Sequence, residues 1–311
     1  MNNRIKKINF YHSFIFFLLC NIFLIIVFKL SDLIISPLIC LILILTIGVS
    51  HGSLDHIKGR KLLNILKLEN IIIFYLTYIL IAIAIIFFWV LTPSISLLIF
   101  LIIASFHFGK EDTQFLINGN SYFNQFLFFL KGSLIILSPM YFHFDETISI
   151  FKLLLLENEA FYSSLSFIEA NKILYIGIFF SSLSSLLLFV KDYELKKFTI
   201  FFDYFSILIL NYCFSPLLAF TIYFCFLHSI RHSITLVFEL NKNNFNKGFR
   251  IFAFKAIPLT FIAIVLCIIS IYFLNNNYDF DSSVLKIIFI GLASLTFPHI
   301  LLEYLLKKNE K

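Results

Sequence analysis

Three ionisable residues, His228, Arg231 and His232, stand inside the otherwise apolar run Thr221–Phe238. Charged and polar groups of this kind are costly in a membrane span and by default mark function. His228 and His232 are four residues apart, so on a helix their imidazoles share one face with Cβ atoms roughly 6 Å apart. Two imidazoles so placed can hold one metal ion. They can equally be packing histidines bonded to polar neighbours, and this stretch alone does not separate the two.

Other histidines carry acidic companions. His51 lies in Gly48-x-x-His51-Gly52-x-Leu54-Asp55, where Asp55, four residues on, is placed to accept the ring N–H of His51. His56 is about 140° round the helix from His51 and is read as a loop or supporting residue. His107, in Ser105-Phe-His107-Phe-Gly109, has Glu111 four residues on, and Asp112 follows. His299 follows Pro298, and Glu303 is four residues further; the two are read as a supporting or proton-handling pair. Asp203 calls for a cationic partner, Arg231 or Lys131. Four neutral imidazoles with no obligatory carboxylate suit Fe(II), Zn or Cu. Structural zinc sites usually include thiolate, and the five cysteines lie singly in apolar runs with no CxxC pair, as buried small hydrophobes. No Ser/His/Asp or Cys/His triad is apparent.

The elements that must position these residues are membrane helices. The chain has 311 residues, 60% hydrophobic and 14% charged, with a mean hydropathy of +0.95. That is far from a soluble domain, about a quarter charged, and points to an all-α, polytopic transmembrane bundle in one domain, 1–311. Ten spans are expected, at about 10–30, 33–51, 71–92, 94–109, 123–142, 172–190, 198–214, 216–238, 254–274 and 284–306. With the first span read as a retained helix and the N-terminus cytoplasmic, eighteen of the 24 Lys and Arg residues fall on the cytoplasmic side. Four (Lys29, Lys152, Lys172 and Lys286) fall opposite. A bias this strong supports ten spans, both termini cytoplasmic, in the cell's inner membrane. It also accounts for the net charge of +6 without nucleic acid as a partner. On this topology His51, His107, His228, His232 and His299 share one membrane level. His143 lies on the far side, and His12 is an interfacial residue with no polar companions.

The motifs then converge. Gly48-x-x-His51-Gly52-x-Leu54-Asp55, His107-Phe-Gly109, Tyr223-Phe-Cys-Phe-x-His228-Ser-x-Arg231-His232 and Phe289-Ile-Gly-Leu-Ala…Pro298-His299 together resemble the Brp/Blh family of membrane β-carotene 15,15′-dioxygenases. The resemblance implies central cleavage of β-carotene by O2 into two molecules of retinal, a ferrous ion held by His51, His107, His228 and His232, and a rhodopsin as consumer of the product. Asp55, His299, Glu303 and Tyr223 are then supporting residues. Phe-rich walls, Phe106 and Phe226 among them, would position a polyene arriving from the bilayer and running across the bundle between the second, fourth, eighth and tenth spans. Two other readings remain at this stage: a bis-histidine b-type cytochrome, and a membrane di-iron desaturase or hydroxylase. The latter would draw on about eight histidines, whereas five share the level here.

Overall fold

The computed structural model describes residues 3–27, 35–117, 119, 121–154, 158–191 and 193–309, with the side chains of Val27, Ser50 and His51 outside the description. Lys29 and Lys311, used above for topology, also lie outside the described residues, as does the side chain of the proposed ligand His51.

The chain is helical throughout, with no strand among the described residues. Helix starts follow from local chemistry. Pro37, Pro93 and Pro216 each occupy the first helical turn, where a missing N–H costs nothing. The side chains of Ser36, Asn70, Ser121, Asn158 and Asn244 accept backbone N–H bonds as N-caps. α1 (Asn3–Val27) is followed by α2 (Pro37–Leu43), a π turn (Ile44–Gly48), a 3-10 turn (Val49–Leu54) and α3 (Asp55–Ile65). Then come α4 (Ile71–Leu91), α5 (Pro93–Glu111), α6 (Tyr122–Gly132) and α7 (Leu134–Phe142). The long connection expected after the fifth span folds as α8 (Phe144–Leu153) and α9 (Glu159–Ala170). α10 (Ile173–Val190) and α11 (Phe198–Cys213) lead to α12 (Pro216–Ile222), a second π turn (Tyr223–Ser229) and α13 (Ile230–Leu240), which form one continuous rod. α14 (Phe245–Leu274) and α15 (Phe280–Asn309) close the chain.

Eight of these helices, counting α12–α13 and α6–α7 as one each, are long and apolar enough to cross a membrane. The pair Pro37–Gly48 and Gly52–Ile65, bent by 41° at its break, makes a ninth when counted as one span. The remaining expected span, α11, has 16 residues. At 1.5 Å per residue it reaches ~24 Å, short of the ~30 Å apolar core of a bilayer. It packs against α1 and runs from the Glu194–Lys6 ion pair at one end to the Asn211–His143 bond at the other, and it buries Thr199, Asp203, Ser206 and Asn211.

The bundle has an inner and an outer part. α4 and α14 face outward; α4 buries only Trp89, and α14 buries Gly248, Phe252 and Ala256. α1 packs on α11 through Phe10, Phe14 and Phe17 against Phe202, with ring centroids 5.4–5.9 Å apart. The tightest crossing joins α5 to α6. A Cβ on Gly109 would stand 1.8 Å from the Phe128 carbonyl oxygen, and one on Gly132 1.8 Å from that of Ser105. Backbones in contact are what small residues permit between membrane helices. This crossing holds α5 two residues from His107, so it fixes the depth of that side chain.

Gly132→Ala should therefore lower thermal stability in detergent by about 1–3 kcal/mol or more through overpacking. Gly291→Ala, where nothing lies within 4 Å of the added carbon, should be neutral or mildly stabilising. Parallel melting curves of the two purified variants check this.

Candidate metal centre

Four helical segments deliver four histidines to one place. His107 comes from the last turns of α5, His228 from the second π turn, His232 from the start of α13, and His299 from α15 directly after Pro298. All four are buried. The His107 ring lies 5.6 Å from that of His228 and 5.5 Å from that of His299, and His299 lies 5.9 Å from His232, centroid to centroid. Ligating atoms of His232, His299 and Glu303 lie within 4.8 Å of one another.

Carboxylates orient the rings. Nδ1–H of His228 donates to Asp112 Oδ1 at 3.0 Å, and the Tyr223 hydroxyl donates to Asp112 Oδ2 at 2.6 Å. Nδ1–H of His299 donates to Asp55 at 2.8 and 2.9 Å, and the Tyr78 hydroxyl donates to Asp55 Oδ2 at 3.0 Å. Nδ1 of His232 is 3.6 Å from Glu111 Oε2. Glu303 stands 3.9 Å from His299 Nε2 and takes an ion pair from Lys58 at 2.7 Å. A carboxylate on one ring nitrogen fixes the tautomer and raises the basicity of the other.

Behind this layer Arg231 binds both oxygens of Asp203 at 2.8 Å and donates to the Asp112 carbonyl at 3.1 Å. It also donates to Ser13 Oγ of α1 at 2.5 Å. Asp203 thus pairs with Arg231, one of its two expected partners. The π turn widens the helix at Tyr223–Ser229, as π segments at functional sites commonly do, and leaves its carbonyls to other donors. His12 of α1 supplies one, donating from Nε2 to the Phe226 carbonyl at 2.8 Å, so it is not the companionless interfacial residue expected. Ser229 donates to the Gly48 carbonyl at 3.2 Å, tying this π turn to the first. His143 sits apart, on the α7–α8 junction, bonded to the Asn211 carbonyl at 2.7 Å. His56 donates from Nδ1 to the Ser53 carbonyl at 3.0 Å.

The cluster lies between two hollows. An apolar cavity of about 580 Å³ is floored by His107, His228 and His299. Its walls include Phe74, Phe108 and Phe224, and its outer side is Ile79 of α4 with Ile262 and Leu266 of α14. Those three are 53%, 51% and 58% exposed on the membrane-facing surface. A larger polar recess of about 890 Å³ reaches His232, Glu111 and Glu303 from the other direction.

Several assignments shift from the sequence reading. The Asp55 carboxylate accepts from His299 and Tyr78; its expected bond to His51 lies outside the described residues. Neither Phe106 nor Phe226 lines the cavity; Phe108 and Phe224 do. Phe224 stacks on the His228 ring at 5.9 Å, and Phe108 meets it edge-on at 4.7 Å. The third and ninth expected spans join the walls. Asp112 and Tyr78 lacked a signal of their own, because their partners are 116 and 23 residues away in sequence. Asp112 could have been found only from its place at the histidine level.

A family model described as "Beta-carotene 15,15'-dioxygenase" matches residues 42–307. The chain belongs to the β-carotene 15,15′-dioxygenase family. The family is one of oxygenases acting on a C=C bond. The matched region contains all the histidines of the cluster and His51, and excludes α1. A "Beta-carotene 15,15'-dioxygenase" from uncultured marine bacterium 66A03 is 29% identical over 273 residues, covering 84% of this chain and 90% of that protein. No solved structure matches.

Within this family member the Arg231–Asp203 pair is a structural prerequisite for the site. Arg231→Leu should destabilise the protein by about 3–5 kcal/mol, because a buried carboxylate loses its partner. Arg231→Leu combined with Asp203→Leu should recover much of that. Denaturation of the single and double variants measures the difference.

Proposed function

We propose that this chain cleaves β-carotene at its central double bond with O2, giving two molecules of all-trans-retinal, at a ferrous ion held by histidine. The observation that carries the reading is an apolar cavity reaching the membrane-facing residues of α4 and α14 with buried imidazoles as its floor. The donor set suits the ion: imidazoles from α5, α15 and the α12–α13 rod, two of them backed by carboxylates, with a further carboxylate in reach and no thiolate among the contacts described. His107, His228 and His232 would hold it, together with His51 as the family resemblance implies. When bound, the ion supplies the activation of O2 that a closed-shell polyene lacks.

The remaining work falls to the chain's own residues. In the overall reaction one C=C bond breaks and each carbon gains one oxygen atom of O2, so no outside electrons and no general base are needed. That agrees with a site in which Asp112 and Asp55 are occupied in holding imidazole protons. Phe74, Phe108 and Phe224 exclude water and grip the polyene by shape. An apolar wall offers little other purchase, since one methylene is worth only about 1–3 kcal/mol. Ile79, Ile262 and Leu266 mark the side from which a lipid-dissolved substrate arrives.

The biased distribution of Lys and Arg supports the cytoplasmic membrane with both termini inside. Retinal released there is a chromophore for a rhodopsin of the same cell.

Co-expression in cells that make β-carotene tests the activity: colour should fade as retinal appears, and His107→Ala, His228→Ala or His232→Ala should each abolish the change. His143→Ala should leave it intact. A Soret band in the purified protein would replace this reading with a haem-binding one. Cleavage register should depend on Phe108 and Phe224. Their Ala variants should yield aldehydes longer or shorter than retinal by chromatography, whereas Phe106→Ala and Phe226→Ala should give retinal alone.

A further inference from the structure

Two side-chain relays of the same construction converge on His107. In one, the Tyr223 hydroxyl donates to Asp112, which accepts Nδ1–H of His228. In the other, the Tyr78 hydroxyl donates to Asp55, which accepts Nδ1–H of His299. The two imidazoles stand almost equally far from the His107 ring, at 5.6 and 5.5 Å. Both line the floor of the apolar cavity. The histidines of the two relays and both aspartates are at most 4% exposed. The two relays share no residue and come from different helices.

We infer that His299 is a further metal ligand, equivalent to His228, and that Asp55 and Tyr78 are the positioning residues that hold its ring. This rests on the ferrous-ion reading above, and adds to it a residue outside the four that the family resemblance implies. The chemistry is that of carboxylate-backed histidine ligands. A proton fixed on Nδ1 by Asp55 leaves the Nε2 lone pair as the donor and raises its basicity. A histidine needed only for packing gives no return on burying an ionised carboxylate, which costs several kcal/mol before its partners are counted. Proximity agrees, because a His299 nitrogen lies within 4.8 Å of ligating atoms of His232 and Glu303. Tyr78 adds a coupling. It sits on the outward-facing α4 and lines the cavity, so the wall against which the polyene rests also orients a ligand.

The test is equilibrium Fe(II) binding by the purified full-length protein under anaerobic conditions, in competition with a chromophoric chelator. Wild type, His299→Ala, Asp55→Asn, Tyr78→Phe and Tyr223→Phe are compared. His299→Ala should lose at least 10-fold in affinity, and millimolar imidazole should restore part of it. Asp55→Asn should lose about 10–100-fold, and Tyr78→Phe and Tyr223→Phe a few-fold each. The EPR spectrum of the nitric oxide complex should change in His299→Ala and Asp55→Asn. If wild type takes up no iron, the metal reading itself fails and takes the inference with it. If wild type binds iron while His299→Ala and Asp55→Asn keep its affinity and its EPR spectrum, His299 is not a ligand although the metal reading stands. Should His299→Ala not fold, by helical circular dichroism, the Asp55 and Tyr78 variants decide on the same criteria.

Discussion

The cost of keeping carboxylates away from water sets the design of this bundle. Asp55, Asp112 and Asp203 are 4%, 3% and 1% exposed, and an uncompensated ion at such depth costs several kcal/mol. Each is retained by partners drawn from elements remote in sequence. Arg231 clamps Asp203 with two bonds and reaches Asp112, while His228 and Tyr223 occupy the Asp112 carboxylate. Asp55 is covered by His299 of α15 and Tyr78 of α4. Satisfying these charges therefore specifies how α1, α3, α4, α5, α11, α13 and α15 meet. The histidines are oriented as a consequence of the same bonds.

Helix geometry bends to meet that demand. A regular α-helix through Tyr223–Ser229 would keep its carbonyls to itself. The π turn instead gives the Phe226 carbonyl to His12, and the neighbouring π turn gives the Gly48 carbonyl to Ser229. Two irregular segments, each exposed to hydrogen-bond loss in a bilayer, satisfy one another and α1 in the protein interior. The glycine crossing of α5 and α6 fixes the opposite side. The outcome is a rigid imidazole cluster with an apolar hollow on one face and a polar one on the other.

Much of this was legible in the chain, and the limits have physical causes. Apolar runs and Lys/Arg placement identify the helices because the bilayer imposes length and composition. α11 stands at the margin of that rule: its apolar content reads as a span, and its 16 residues reach ~24 Å of a ~30 Å apolar core. The shared depth of His107, His228, His232 and His299 was visible because topology alone fixes depth. Rotation about each helix axis is not legible in the same way, so the sequence points to Phe106 for the wall that Phe108 occupies. Glu303, four residues on, offers His299 a local partner in the sequence. The carboxylate that accepts its Nδ1–H is 244 residues away, and no spacing rule reaches that far. The π turns left no sequence signature.

The central claim is that imidazoles held by buried carboxylates bind the catalytic ion beneath an apolar cavity. X-ray absorption at the iron edge of the purified, iron-loaded protein tests it most directly. The predicted result is a nearest shell of nitrogen and oxygen only, with the outer-shell scattering of several imidazoles, and loss of imidazole scattering in Asp112→Asn. A sulfur shell, a porphyrin pattern, or a spectrum untouched by Asp112→Asn would contradict it.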